Sequence, residues 1–191
     1  MPGKKKYILW SSLVLVVGAL AVVLFFYHSN PRIPDSQTAG NQKKVEDDLK
    51  RVNKFLVEKD RERIQSFVER RGWKMAQTGS GLWYAVLSRG NGPEVAEGMY
   101  VMLDYEIRLL DGTLCYSSDS TGARVVQVGH GDATRGLHEG LTYLRGGDQA
   151  RLIMPPHLAH GLIGDGERIP ARAILVYHIT VLEASREKIR G

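Results

Sequence analysis

The sequence has one cysteine, Cys115, so no internal disulfide can staple its fold. That residue lies far from the early apolar run, so the chain has no cysteine placed for lipoprotein attachment. A buried small hydrophobe accounts for it better than a redox thiol. Aromatic residues are scarce at 8%, so any aromatic falling on the inner face of a strand is worth tracing. Charge of one sign is not broadly in excess. The net charge is +5, and Lys4, Lys5 and Lys6 alone supply three of those units. This cluster flanks an apolar run, which argues for membrane topology and against a nucleic-acid surface. The Gly129-His130-Gly131 run is too short to cradle a phosphate. His157 and His160 form an H-x-x-H with no helix to align them and no carboxylate pair beside them, so no metal and no cofactor is implied.

One run is long and uncharged. Tyr7 to Tyr27 spans 21 residues, close to the roughly 20 needed to cross a bilayer. Trp10 and Tyr27 suit its two interfaces. A cleaved signal peptide would have a shorter core and a small-x-small site; this run passes into His28-Ser29-Asn30-Pro31 instead. The reading is an uncleaved anchor with a cytoplasmic tail at residues 1–6, a membrane helix at 7–27 and all that follows facing outward, which is periplasmic in a bacterium. Residues 28–41, with Pro31, Pro34 and Gly40, read as a linker.

Residues 42–72 read as helical. Val45, Leu49, Val52 and Leu56 form one stripe, and Ile64, Phe67 and Val68 form a second after the charged step Glu58-Lys59-Asp60. Gly72 suits the stop. Neither stripe sustains a heptad repeat, which favours a stalk packed on its own domain over a homodimer seam through 45–68.

Residues 73–191 read as one domain, in which the period changes to two after Gly81. Val101, Leu103, Tyr105, Ile107 and Leu109 alternate with Asp104, Glu106 and Arg108, the mark of a half-buried antiparallel strand. Leu175, Tyr177, Ile179 and Val181 repeat it, as do Ala150, Leu152 and Met154. Asp111-Gly112 signals a hairpin. One short helix, Arg135 to Leu144, points Leu137, Leu141 and Leu144 one way, and Gly136 and Gly140 permit a close approach to a sheet. The fold class is α+β: a curved antiparallel sheet wrapped on one helix.

Three segments in order resemble the FKBP class of peptidyl-prolyl isomerases: VMLDYEIRLLDGTLCYSS from Val101, QVGHGDATRGLHEGLTYLRGGDQARLIMPPHLAHG from Gln127, and IPARAILVYHITVLE from Ile169. The segment GWKMAQTGSGLWYAVLSRGNG from Gly72 is similar to the gliding-motility-associated isomerases of Bacteroidetes. The resemblance implies isomerisation of X–Pro bonds in exported proline-containing polypeptides. It places Tyr105, Tyr116, Thr134, His160 and Tyr177 in the catalytic site, with Val126, Ala133, Leu137 and Ile169 binding substrate. The backbone N–H of Thr134 would donate to the substrate carbonyl. The sequence departs from the family at Cys115, at Tyr116, where an aspartate is usual, at Leu137 for a tryptophan, at His160 for a tyrosine, and at Arg124 and Val126 for phenylalanines. His160 keeps a donor whose charge changes between about pH 5 and 8, and the missing aspartate implies loss of a polar anchor at the rim. These changes raise a second expectation, an FKBP-like chaperone or binding module with little catalysis.

Overall fold

A computed structural model describes residues 20–25, 28, 35–131 and 133–189. The chain divides into two compact units, Met1–Arg51 and Val52–Gly191. The 7–27 segment lies almost wholly outside the described residues; its residues 20–25 are helical, with exposed side chains. No helix among the described residues is long and apolar enough to cross a membrane.

Helix α1 runs Asp35–Arg70, so the linker expected over 28–41 gives way to helix seven residues early. A helix nucleated and anchored further on gains one hydrogen bond for each residue it adds, and Gly40 weakens this run without stopping it. In the first unit Val45 and Leu49 of the first expected stripe are exposed. In the second unit Val52 and Phe55 are exposed as well.

The end of α1 is buried. Ile64, Phe67 and Val68 pack with Ile153, Ile174 and Val176 of the sheet. Asp60, read as part of a charged break, lies one turn before Ile64 on the same face and is itself buried. The helix closes on Gly72 at φ 63°. Gly72 N–H donates to Glu69 O and Trp73 N–H to Val68 O, a Schellman closure in which Trp73 meets Phe67 edge-on at 5.5 Å.

The remaining elements are β1 (Ala76–Gln77), β2 (Trp83–Ser88), β3 (Tyr100–Leu109), β4 (Leu114–Ser117), α2 (Ser118–Thr121), β5 (Arg124–Gln127), α3 (Arg135–Leu141), β6 (Gln149–Met154), a 3₁₀ turn at Pro156–Leu158 and β7 (Leu175–Ser185). The strands form one antiparallel sheet in the order β1-β2-β6-β7-β3-β4. β5 pairs with the first half of β3, Tyr100↔Gln127 to Leu103↔Arg124. β4 pairs with its second half, Glu106↔Ser117 to Arg108↔Leu114. One edge of β3 is thus shared by two strands, and the segment between them brings Thr121 to the cavity described below.

On that face Val101, Leu103, Ile107, Leu152, Met154, Leu175, Tyr177, Ile179 and Val181 are buried, as the alternation predicts. The opposite face is covered too, because Val176 and Ile153 lie under α1. α3 sits tightly on the inner face: a Cβ on Gly140 would come within 2.5 Å of Leu152 Cδ1, and one on Gly136 within 2.9 Å of Met154 Sδ. The helix is shorter than the expected 135–144. Its last turn tightens into three-residue bonds, Tyr143 N–H to Gly140 O and Leu144 N–H to Leu141 O, which still bury Leu144.

Candidate active site

A cavity of about 790 Å³ opens between the inner face of the sheet, the start of α3 and the 159–169 loop. Of the nine residues expected to form the site, eight line it: Tyr105, Tyr116, Ala133, Thr134, Leu137, His160, Ile169 and Tyr177. Val126 does not. Its side chain is fully buried in the core beneath β5, and Arg124, two residues earlier on the same strand, takes the lining position.

The floor is apolar and buried. Tyr177 is 4% exposed; burial pushes its phenol up to about 12, with a partial counter-effect from its hydrogen bond with Thr134. Leu137, on the first turn of α3, and Ile169 are also buried. Ile107, two residues beyond Tyr105 on the inner face of β3, lines the cavity as well.

Thr134 caps α3 in an extended conformation, φ −70° and ψ 151°. Its carbonyl accepts from Leu137 and His138, while its own N–H has no partner among the described residues. Thr134 lines the cavity beside its apolar floor, so this main-chain donor is available to an incoming carbonyl.

The rim is polar, and it corrects the expected loss of an anchor at Tyr116. The Tyr116 hydroxyl donates to Asp165 Oδ2 at 2.6 Å, with Glu167 Oε2 at 3.4 Å. The hydrogen bond to Asp165 raises the phenol to about 12. Burial opposes the charge on Asp165, but donors outweigh it: the Tyr116 hydroxyl and the N–H groups of Glu167, Ile169 and Arg168 hold the carboxyl well below the usual range. Its Oδ1 takes all three N–H bonds, at 2.8–3.0 Å. Arg168 closes the clasp by donating to Cys115 O at 3.1 Å and by lying 5.3 Å above the Tyr116 ring. The carboxylate missing from β4 is thus supplied from the facing loop. In the sequence Asp165-Gly166 looks like an ordinary turn, and only the three-residue reach of an Asx cap could have flagged it.

Tyr105 is held by its hydroxyl, 2.8 Å from Thr121 Oγ1. The two histidines of the H-x-x-H serve different ends. His157 Nε2 bonds Ser80 O at 2.9 Å, whereas His160 lines the cavity and its imidazole makes no hydrogen bond among the described residues.

The same region matches a protein-family model described as FKBP-type peptidyl-prolyl cis-trans isomerase, over residues 92–182. Those residues form an FKBP-type domain. Among curated relatives, the FKBP-type peptidyl-prolyl cis-trans isomerase FkpA of Buchnera aphidicola is 29% identical over 81% of this chain and 63% of its own length. The isomerase FKBP10 of Homo sapiens is 36% identical over 49% of this chain and 16% of its own. The chain therefore spans less than two thirds of these relatives. Among solved structures, AtFKBP13 is similar to the FKBP-type domain at TM-score 0.55 and 25% identity, covering 59% of this chain and 99% of that one. FkpA from Escherichia coli shares the fold over 95% of both chains, at TM-score 0.58 and 21% identity.

Proposed function

We propose that the chain isomerises X–Pro peptide bonds in exported polypeptides, with its FKBP-type domain held outward by a membrane anchor at residues 7–27. Rotation about a peptide bond meets a barrier of about 18–20 kcal/mol, set by amide resonance. The twisted amide has lost that resonance and its charge separation. It is therefore less penalised than the planar amide on entering a dry apolar site. Tyr177, Leu137 and Ile169 provide such a floor. The Thr134 N–H donates to the substrate carbonyl and fixes its position, and each 1.36 kcal/mol gained selectively in the twisted state is worth tenfold in rate. No covalent step is needed. The observation that carries the reading is the Thr134 N–H, without a partner among the described residues, on a residue that lines a cavity with an apolar floor.

The test is a protease-coupled assay of X–Pro peptides with the full chain in detergent. Acceleration over the uncatalysed rate supports the reading; none across several residues before proline would overturn it. Leu137 in the floor and His160 in the loop favour the second reading, a module that binds proline segments with little catalysis. Binding of the same peptides without acceleration would select it.

The outward orientation rests on the lysine cluster before the apolar run, and protease treatment of spheroplasts should remove the domain. The Gly72–Gly92 segment supports kinship with gliding-motility isomerases. A homodimer through the helical segment would use exposed Val45 and Leu49, since Ile64, Phe67 and Val68 are already covered by the sheet.

A further inference from the structure

Arg172 is the one described residue other than glycine with positive φ, at 57°. It occupies the turn Pro170–Ala173, closed by Ala173 N–H to Pro170 O at 3.3 Å. Glycine would sit there without strain. The arginine instead sends its guanidinium to Asp60 of α1, Nη2 to Oδ2 at 2.8 Å. The Asp60 side chain is 6% exposed, and its other cation, Arg63, stands at 3.8 Å and is largely in solvent. The carboxylate of this pair is buried while the Arg172 side chain is 32% exposed, and desolvation of the buried partner offsets much of the attraction. Strain and burial together therefore need another account.

Position supplies it. The N–H of Arg172 donates to Gly161 O at 3.0 Å, and Gly161 N–H donates to Pro156 O at 2.8 Å. These bonds close the base of the loop whose residues Asp165, Glu167 and Ile169 line the cavity, with His160 just before it. Arg172, at one end of that loop, thus holds its other end at Gly161 through its backbone N–H, while its side chain fixes the turn to α1. We propose that Asp60 is a positioning residue for the prolyl site: through Arg172 it sets where the 160–169 loop stands over the floor, and so couples the helix to the isomerase pocket. This builds on the isomerase reading.

The test compares full-length wild type with Asp60→Asn, Arg172→Gly and the double variant, at a temperature where circular dichroism finds all four folded. Arg172→Gly removes the guanidinium while easing the backbone, so backbone strain and the ion pair are separated. Each single variant should lower kcat/KM on an X–Pro peptide about five- to tenfold. The double variant should lose no more than either single, because both break one link. A contact serving stability alone would leave kcat/KM per folded molecule unchanged, and that result overturns the proposal, as do losses that multiply in the double variant. Amide hydrogen exchange supplies a readout independent of catalysis. Residues 161–169 should exchange faster in every variant, and unchanged protection there also overturns the coupling. If wild type itself fails to accelerate isomerisation while the exchange result holds, the isomerase reading falls and the coupling stands.

Discussion

The floor and the rim of the cavity are built by different physics. Tyr177, Ile107 and Leu137 stand on β7, β3 and α3, and the sheet ladder and the close seat of Gly140 on Leu152 fix them. Their positions follow from burial. The rim follows from polar contacts between loops: Tyr116 reaches Asp165, Asp165 gathers three backbone N–H groups, and Arg168 returns to Cys115. A floor residue is thus bound to the stability of the domain. A rim residue can change the shape of the site while leaving the core intact.

Tyr177→Ala should separate the two regions most sharply. Truncating a packed aromatic costs about 3–5 kcal/mol, so urea denaturation should show a large loss and proline-peptide binding should weaken. Unchanged binding in a folded variant would remove Tyr177 from the site. Gly164→Ala attacks the rim. A Cβ there would lie 2.2 Å from Ile169 O, at φ 81°, and forced strain of this kind costs about 1–3 kcal/mol. Isomerase activity should collapse while the far-ultraviolet spectrum of the sheet is kept; full activity would mean that the loop does not shape the site. Tyr116→Phe is gentler. It deletes the hydroxyl bond, worth about 0.5–1.5 kcal/mol, so the denaturation midpoint should shift little while activity falls several-fold. Equal losses of activity in Tyr116→Phe and a distant surface variant would dissolve the distinction between floor and rim.

The floor was legible in the sequence because burial leaves a period. Tyr105, Ile107, Tyr177 and Ile179 alternate with polar residues, and Gly136 and Gly140 announce a helix seated on a sheet. Position along a strand is harder to read than face. Val126 and Arg124 share a side of β5, and it is the arginine, nearer the open end, that meets the cavity. Asp60 hid for a related reason: a charged residue breaks an apolar stripe on paper, whereas in the fold Arg172 pairs it from far along the chain. The Tyr116–Asp165 clasp left no local trace, since it joins a strand to a loop across 49 residues and neither partner has a periodic pattern. Ile153 and Val176 fall on the polar side of their strands by alternation, and their burial makes sense only once α1 covers that face.

Alkaline titration gives the smallest effect and the finest discrimination. The sequence has eight tyrosines, against an ordinary phenol value of about 10. Tyr177 and Tyr116 are both pushed up to about 12, the first mainly by burial and the second mainly by its bond to the Asp165 carboxylate. A raised value in the folded state means that folding favours the protonated phenol. The resulting stability is fully present below about pH 10 and is lost as pH rises toward 12. Ultraviolet titration of the phenolates should therefore show a late class of tyrosines. Asp165→Asn should return Tyr116 toward the ordinary value and leave Tyr177 late, because a neutral amide no longer opposes the phenolate at the rim while the floor stays dry. If both tyrosines moved together, the floor and the rim would be one cooperative unit rather than two.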